Sequence, residues 1–126
     1  MSMNPAAVDD LPEIPGLCDY IDLKDGLMRV RGNRKVYKSI MQSFLRNNNM
    51  EIFKNQINAN DLKEAEKTVH SIKGVSANMS LTALRKSMIE LEQQLKAGSY
   101  DEKTCRDAFD NFDKTIHFIA ILLQHL

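Results

Sequence analysis

From residue 36 to the C-terminus, apolar residues recur every three or four positions, a spacing that admits helices and calls for no strand. Val36/Tyr37, Ile40/Met41 and Phe44/Leu45 fall at i, i+4 and i+8, which describes one amphipathic helix. The run Asn47-Asn48-Asn49 is poor helix material and good cap material, so a break or kink is expected before Met50, Phe53 and Ile57 resume the stripe. Asp61 followed by Glu64 has the form of a capping box and opens a seam of Leu62, Ala65, Val69, Ile72, Ser76 and Met79. Ser80 reads as the N-cap of the next seam, Leu81, Leu84, Met88, Leu91 and Leu95, which Gly98 closes. Cys105, Phe109, Phe112, Ile116, Ile119, Leu123 and Leu126 form the last.

The connections at 59–61, 79–81 and 97–101 are short, so consecutive helices should be antiparallel neighbours. The expected fold is all-α, an up-and-down antiparallel four-helix bundle whose first arm is the broken 34–58 segment. Residues 1–16 hold Pro5, Pro12, Pro15 and the acids Asp9 and Asp10, and read as an extended lead-in or linker. A short N-terminal helix is expected after it, with Asp22 as N-cap, Leu23, Leu27 and Val30 as its stripe, and an end near Gly32; Gly26 inside it is unfavourable. A chain of 126 residues suits one domain, here 17–126.

Several functions are disfavoured. Lys+Arg and Asp+Glu balance at 17 each, and no basic stripe is visible, which speaks against nucleic acid as a partner. No apolar run reaches the roughly 18–20 residues that cross a bilayer, and no signal-peptide pattern is present, so a cytoplasmic protein without a membrane segment is expected. Cys18 and Cys105 lie far apart and match no metal-ligand spacing. With no Gly-rich phosphate loop and no carboxylate cluster, neither an ATP site nor a metal or cofactor of the chain's own is expected.

His70 lies roughly 120° around its helix from the centre of the apolar seam and should face solvent. On the same shoulder are Glu66, Lys67, Lys73, Gly74 and Ala77. A neutral imidazole, with an ordinary pKa of about 6.5, can attack phosphorus without a separate strong base. Lys67 and Lys73 could offset the incoming negative charge, and Glu66 could accept a hydrogen bond from the second ring nitrogen and fix the tautomer. A glycine inside a helix costs about 1 kcal/mol relative to alanine. At Gly74 that cost is explained by close approach of a partner, with Ala77 extending the shallow bay. His117 is equally far from its seam, but its neighbours Asp113, Lys114, Ala120 and Ile121 are less cationic and include no glycine; His125 reads as surface.

The stretch Thr68-Val69-His70-Ser71-Ile72-Lys73-Gly74-Val75-Ser76-Ala77-Asn78-Met79 closely resembles the H-x-[LI]-K-G-x-[SA]-[AG]-N motif of histidine-containing phosphotransfer (HPt) domains. Gly32-Asn33-Arg34 with Tyr37 and Phe44 resembles the family's entry to its first long bundle helix, and the resemblance spans about residues 14–126. Met79-Ser80 departs mildly from the hydrophobic-then-glycine pair frequent in relatives.

The resemblance implies that His70 accepts a phosphoryl group from a receiver-domain aspartyl phosphate and passes it to another receiver's aspartate. By motif position Lys73 would contact the phosphoryl group and Gly74 would clear space for the receiver. Mg²⁺ would come with the receiver, since phosphoryl transfer usually needs a metal bridging the phosphoryl oxygens. Expected partners are response-regulator receivers and a sensor or hybrid histidine kinase, met by a monomeric phosphocarrier that is not itself an enzyme. A docking patch is expected at Leu27, Met28 and Met41 beside Glu66, Lys67 and Ala77. The alternatives are a non-catalytic helical adaptor bundle, or a piece of a hybrid sensor kinase to which the Pro-rich lead-in would be the linker.

Overall fold

The computed structural model describes residues 10–126. A single 3-10 turn, Leu17–Asp19, precedes α1 (Leu23–Arg29), α2 (Arg34–Arg46), α3 (Met50–Asn58), α4 (Leu62–Asn78), α5 (Thr82–Lys96) and α6 (Glu102–Leu123); no strand occurs among the described residues. Helices α3, α4, α5 and α6 pack in sequence, and α2 against α6 closes the ring. The fold is the expected up-and-down four-helix bundle, with α2 and α3 as two halves of one arm.

The break between those halves is built by asparagine chemistry. Asn48 donates from Nδ2 to the Phe44 carbonyl at 3.0 Å and accepts the Met50 N–H at 3.2 Å, so one side chain serves the end of α2 and the start of α3. Asn49 takes a left-handed conformation, φ 66°, which asparagine tolerates better than most residues. Phe44 meets Phe112 at 6.3 Å between ring centroids and Phe53 stacks on Phe109 at 5.6 Å, anchoring both halves to α6.

Two sequence expectations about caps need revision. Asp61 does accept the Glu64 N–H, but the Glu64 side chain turns to Lys67 instead of completing the box. Ser80 is not an N-cap. It sits one residue earlier at φ 57°, a place that favours glycine, and its hydroxyl donates to Asp25 Oδ2 at 2.5 Å, while Leu81 occupies the cap position without a side-chain bond.

Along α6 the buried line is Cys105, Ala108, Thr115, Ile119 and Leu122, rotated from the expected seam. Phe109, Phe112, Ile116 and Leu123 are half-buried flanks. Small residues at the centre let the helix approach closely. Thr115 satisfies its hydroxyl locally, on the Asn111 carbonyl at 2.6 Å.

Helix α1 is pinned across the α4–α5 turn. Asp22 caps it by accepting the Asp25 N–H, and the Asp22 N–H itself donates to the Ser80 carbonyl at 2.9 Å. Gly26 is needed here, because a Cβ would lie 2.5 Å from the Tyr37 hydroxyl oxygen. That hydroxyl is buried and donates to the Met79 carbonyl at 2.9 Å. Leu23 and Leu27 join the core.

The described part of the lead-in lies against the bundle, with Leu11 and Ile14 packed on the core and the Arg34 guanidinium bonded to the Asp10 carbonyl. Pro5 and Asp9 fall outside the described residues.

Candidate functional site

Capping by Asp61 starts α4 and the seam Ala65, Val69, Ile72 and Ser76 locks its rotation, which turns His70 outward. The imidazole is 70% exposed. From α5, 22 residues later, Glu92 reaches it: Oε2 lies 2.5 Å from His70 Nδ1. The other oxygen, Oε1, accepts a hydrogen bond from Lys73 Nζ at 2.5 Å, with Lys96 Nζ at 3.9 Å. One carboxylate therefore ties together a histidine and two lysines.

Glu92 itself is buried, 5% exposed, at the edge of a seam that includes Met88, Leu91 and Leu95. A buried charge is tolerated when paired and hydrogen-bonded, and both oxygens are engaged. The Lys73 hydrogen bond is the largest influence on the carboxyl and holds its pKa below the ordinary value. Burial pushes the other way; the His70 bond and the charges of Lys73 and Lys96 add to the lowering.

An ionised carboxylate can only accept, so the proton of a neutral His70 resides on Nδ1. Nε2 is left with its lone pair on the solvent side. Held across the ring from a buried anchor, it has the geometry that a nucleophile presented to a partner requires.

The remaining candidates separate cleanly. Gly74 is exposed within α4, and among the described residues a Cβ there would meet nothing within 4 Å, so no packing among them explains it. Ala77 is half-buried beside it. Lys67 points away toward Glu64 Oε1 at 3.2 Å. Glu66 is not the ring's partner, because the Glu92 carboxylate reaches across from α5 and occupies Nδ1 instead. Leu27 and Met41 are fully buried and cannot form a docking patch; of that trio only Met28 is exposed, at 48%. His117 is exposed and, among the described residues, has no such carboxylate; its ring and that of Phe118 make a T-shaped contact at 5.4 Å.

Sequence reasoning missed Glu92. The available signal was a carboxylate placed i+4 from Met88 and i−3 from Leu95, flush against an apolar seam where charge is costly.

A family model described as Hpt domain matches residues 40–125, more than half of the chain, and spans this site. The chain belongs to the Hpt domain family. Comparison with curated proteins and with solved structures gave no match. As an Hpt domain the chain serves phosphotransfer in two-component signalling as a phosphocarrier, with partners among receiver domains and histidine kinases. Among the described residues no His, Cys, Asp and Glu cluster is placed to hold a metal, and no helix is long and apolar enough to cross a membrane.

Proposed function

We propose that this Hpt domain carries a phosphoryl group on Nε2 of His70, taking it from a receiver aspartyl phosphate and yielding it to the aspartate of another receiver. The observation behind this reading is the exposed imidazole whose Nδ1 is held by a buried carboxylate. The Nε2 lone pair attacks phosphorus, an N–P bond forms, and the P–O bond to the receiver carboxylate breaks with its electron pair left on that carboxylate.

Lys73 would exchange part of its bond to Glu92 for the arriving phosphoryl oxygens, a short movement for a half-buried ammonium. Gly74 and Ala77 would leave room for the receiver's loops, and exposed Val75 would add apolar contact in a transient interface. The acidic, Mg²⁺-binding pocket that activates the aspartyl phosphate would be the receiver's.

The test is label transfer from a receiver domain prephosphorylated on aspartate. Wild type should gain acid-labile, base-stable phosphate, His70→Gln none, and ATP alone should label neither. A His70→Gln protein labelled as well as wild type would remove His70 from this role.

A further inference from the structure

Nδ1 of His70 is held by a carboxylate where a neutral acceptor would suffice to orient the ring, and the negative charge has a separate consequence once the ring is phosphorylated. When Nε2 attacks, the Nδ1 proton is not lost, so the immediate product is a phosphoimidazolium. If that proton then escapes to solvent, breaking the N–P bond must expel an imidazolate anion, a poor leaving group. If the proton stays, the N–P bond breaks with its electron pair returning to Nε2, and a neutral imidazole leaves.

We propose that Glu92 is a positioning residue that retains the Nδ1 proton on phosphorylated His70, and so keeps the phosphoryl group in its readily transferred form at neutral and mildly alkaline pH. This rests on the assignment of His70 as phosphoacceptor. The geometry of Glu92 suits such a role, because Oε2 is already on Nδ1 at 2.5 Å and the side chain is fixed by burial between α4 and α5. When Lys73 turns toward the phosphoryl oxygens, Oε1 loses its closest cation and the carboxylate's charge bears more fully on the ring.

The charged groups about the imidazole are on two elements. From α4 come Lys73, Lys67 and Glu66, of which Lys67 is taken by Glu64. From α5 come Glu92 and Lys96, whose ammonium is 3.9 Å from Oε1. The lysines oppose retention of a ring proton and the phosphoryl group favours it. Among the described residues Glu92 is the ion-pair partner of the ring. An opposite charge in contact moves a pKa by about 1–3 units.

The experiment loads wild type, Glu92→Gln and Glu92→Asp with phosphoramidate, which bypasses any receiver, and follows loss of phosphate by ³¹P NMR from pH 5.5 to 9. Nδ1 protonation is read in parallel by ¹⁵N shifts of the labelled ring. Wild type should hold its rate to higher pH than Glu92→Gln, and on the alkaline side loss from Glu92→Gln should be roughly tenfold slower, as removal of one contacting opposite charge implies. Glu92→Asp, which keeps the charge, should move the profile back toward wild type. Superimposable wild-type and Glu92→Gln profiles would overturn the inference while leaving His70 as acceptor. Failure of folded Glu92→Gln to load would also overturn it, by assigning Glu92 to ring orientation alone. Loading of His70→Gln equal to wild type would instead strike the underlying assignment.

Discussion

Gly74→Ala separates stability from function at one position. Inside α4, alanine should gain about 0.5–1 kcal/mol over glycine through helix propensity and the restricted unfolded chain. Nothing in the structure opposes this, since the new methyl meets no atom within 4 Å. Unfolding entropy of about 2.1 cal/mol/K per residue gives about 0.26 kcal/mol/K for 126 residues, so Tm should rise by about 2–4 °C. Gly74→Gln, also a good helix former, should remain at least as stable as glycine but fill the bay beside His70. A steric conflict of about 1–3 kcal/mol with a docked receiver would weaken complex formation roughly 5- to 150-fold. Thermal unfolding by circular dichroism and receiver-to-His70 label transfer read the two effects separately. A fall in Tm for Gly74→Ala would mean that a contact within the chain requires glycine. A stabilised Gly74→Gln protein that accepts phosphate at the wild-type rate would show that clearance for the partner is not the reason for this residue.

Gly26 is the opposite case to Gly74, its space already filled by Tyr37. Gly26→Ala gains about 1 kcal/mol of propensity, but its Cβ would press on buried Tyr37 at 2.5 and 2.8 Å, and retreat of the ring breaks the bond to the Met79 carbonyl. Overpacking of about 1–3 kcal/mol and a lost buried hydrogen bond of about 1–3 kcal/mol leave a net loss of about 1–5 kcal/mol, measurable by urea unfolding; an unchanged midpoint would refute the fit described for α1. Acid should also destabilise the domain through Glu92 and Asp25, whose pKa values are lowered in the fold, the first chiefly by Lys73 and the second chiefly by Ser80. Stability from a depressed carboxyl pKa is present above the unfolded values of about 4.3 and 3.9 and is lost as pH falls through the lower folded ones. Asp25, with its side chain 48% exposed, contributes the smaller part because solvent screens it. Tm measured between pH 6 and 2.5 should fall less steeply in Glu92→Gln than in wild type, and parallel curves would contradict the Glu92 share.

The bundle was legible because each helix carries its own apolar stripe and two of its caps, Asp22 and Asp61, are local in sequence. The same locality limited the site. Helical spacing gives the neighbours that a residue has on its own helix, so it offered Glu66 to the imidazole, whereas packing of α4 on α5 supplied Glu92. Leu27 and Met41 show a related limit: an apolar residue near a reactive group reads equally as patch or core, and only the tertiary contacts of α1 and α2 decide for core. Ser80 looked like a cap because serine caps often. The positive φ of that turn and the reach of Asp25 from α1 drew its hydroxyl elsewhere.

The clamp of α1 over the α4–α5 turn bears on how the domain can be cut out and fused. The family match starts at residue 40, inside α2, yet Tyr37, whose hydroxyl bonds the Met79 carbonyl, and Gly26, packed on its ring, both lie ahead of it. Trimming to the matched boundary would strip α1 away, leave Met79 without the hydroxyl on its carbonyl, and open the end of the bundle to water. The unit recognised by homology is therefore shorter than the unit that folds, and any chimera joining this domain to a receiver should place its junction ahead of the Leu17–Asp19 turn.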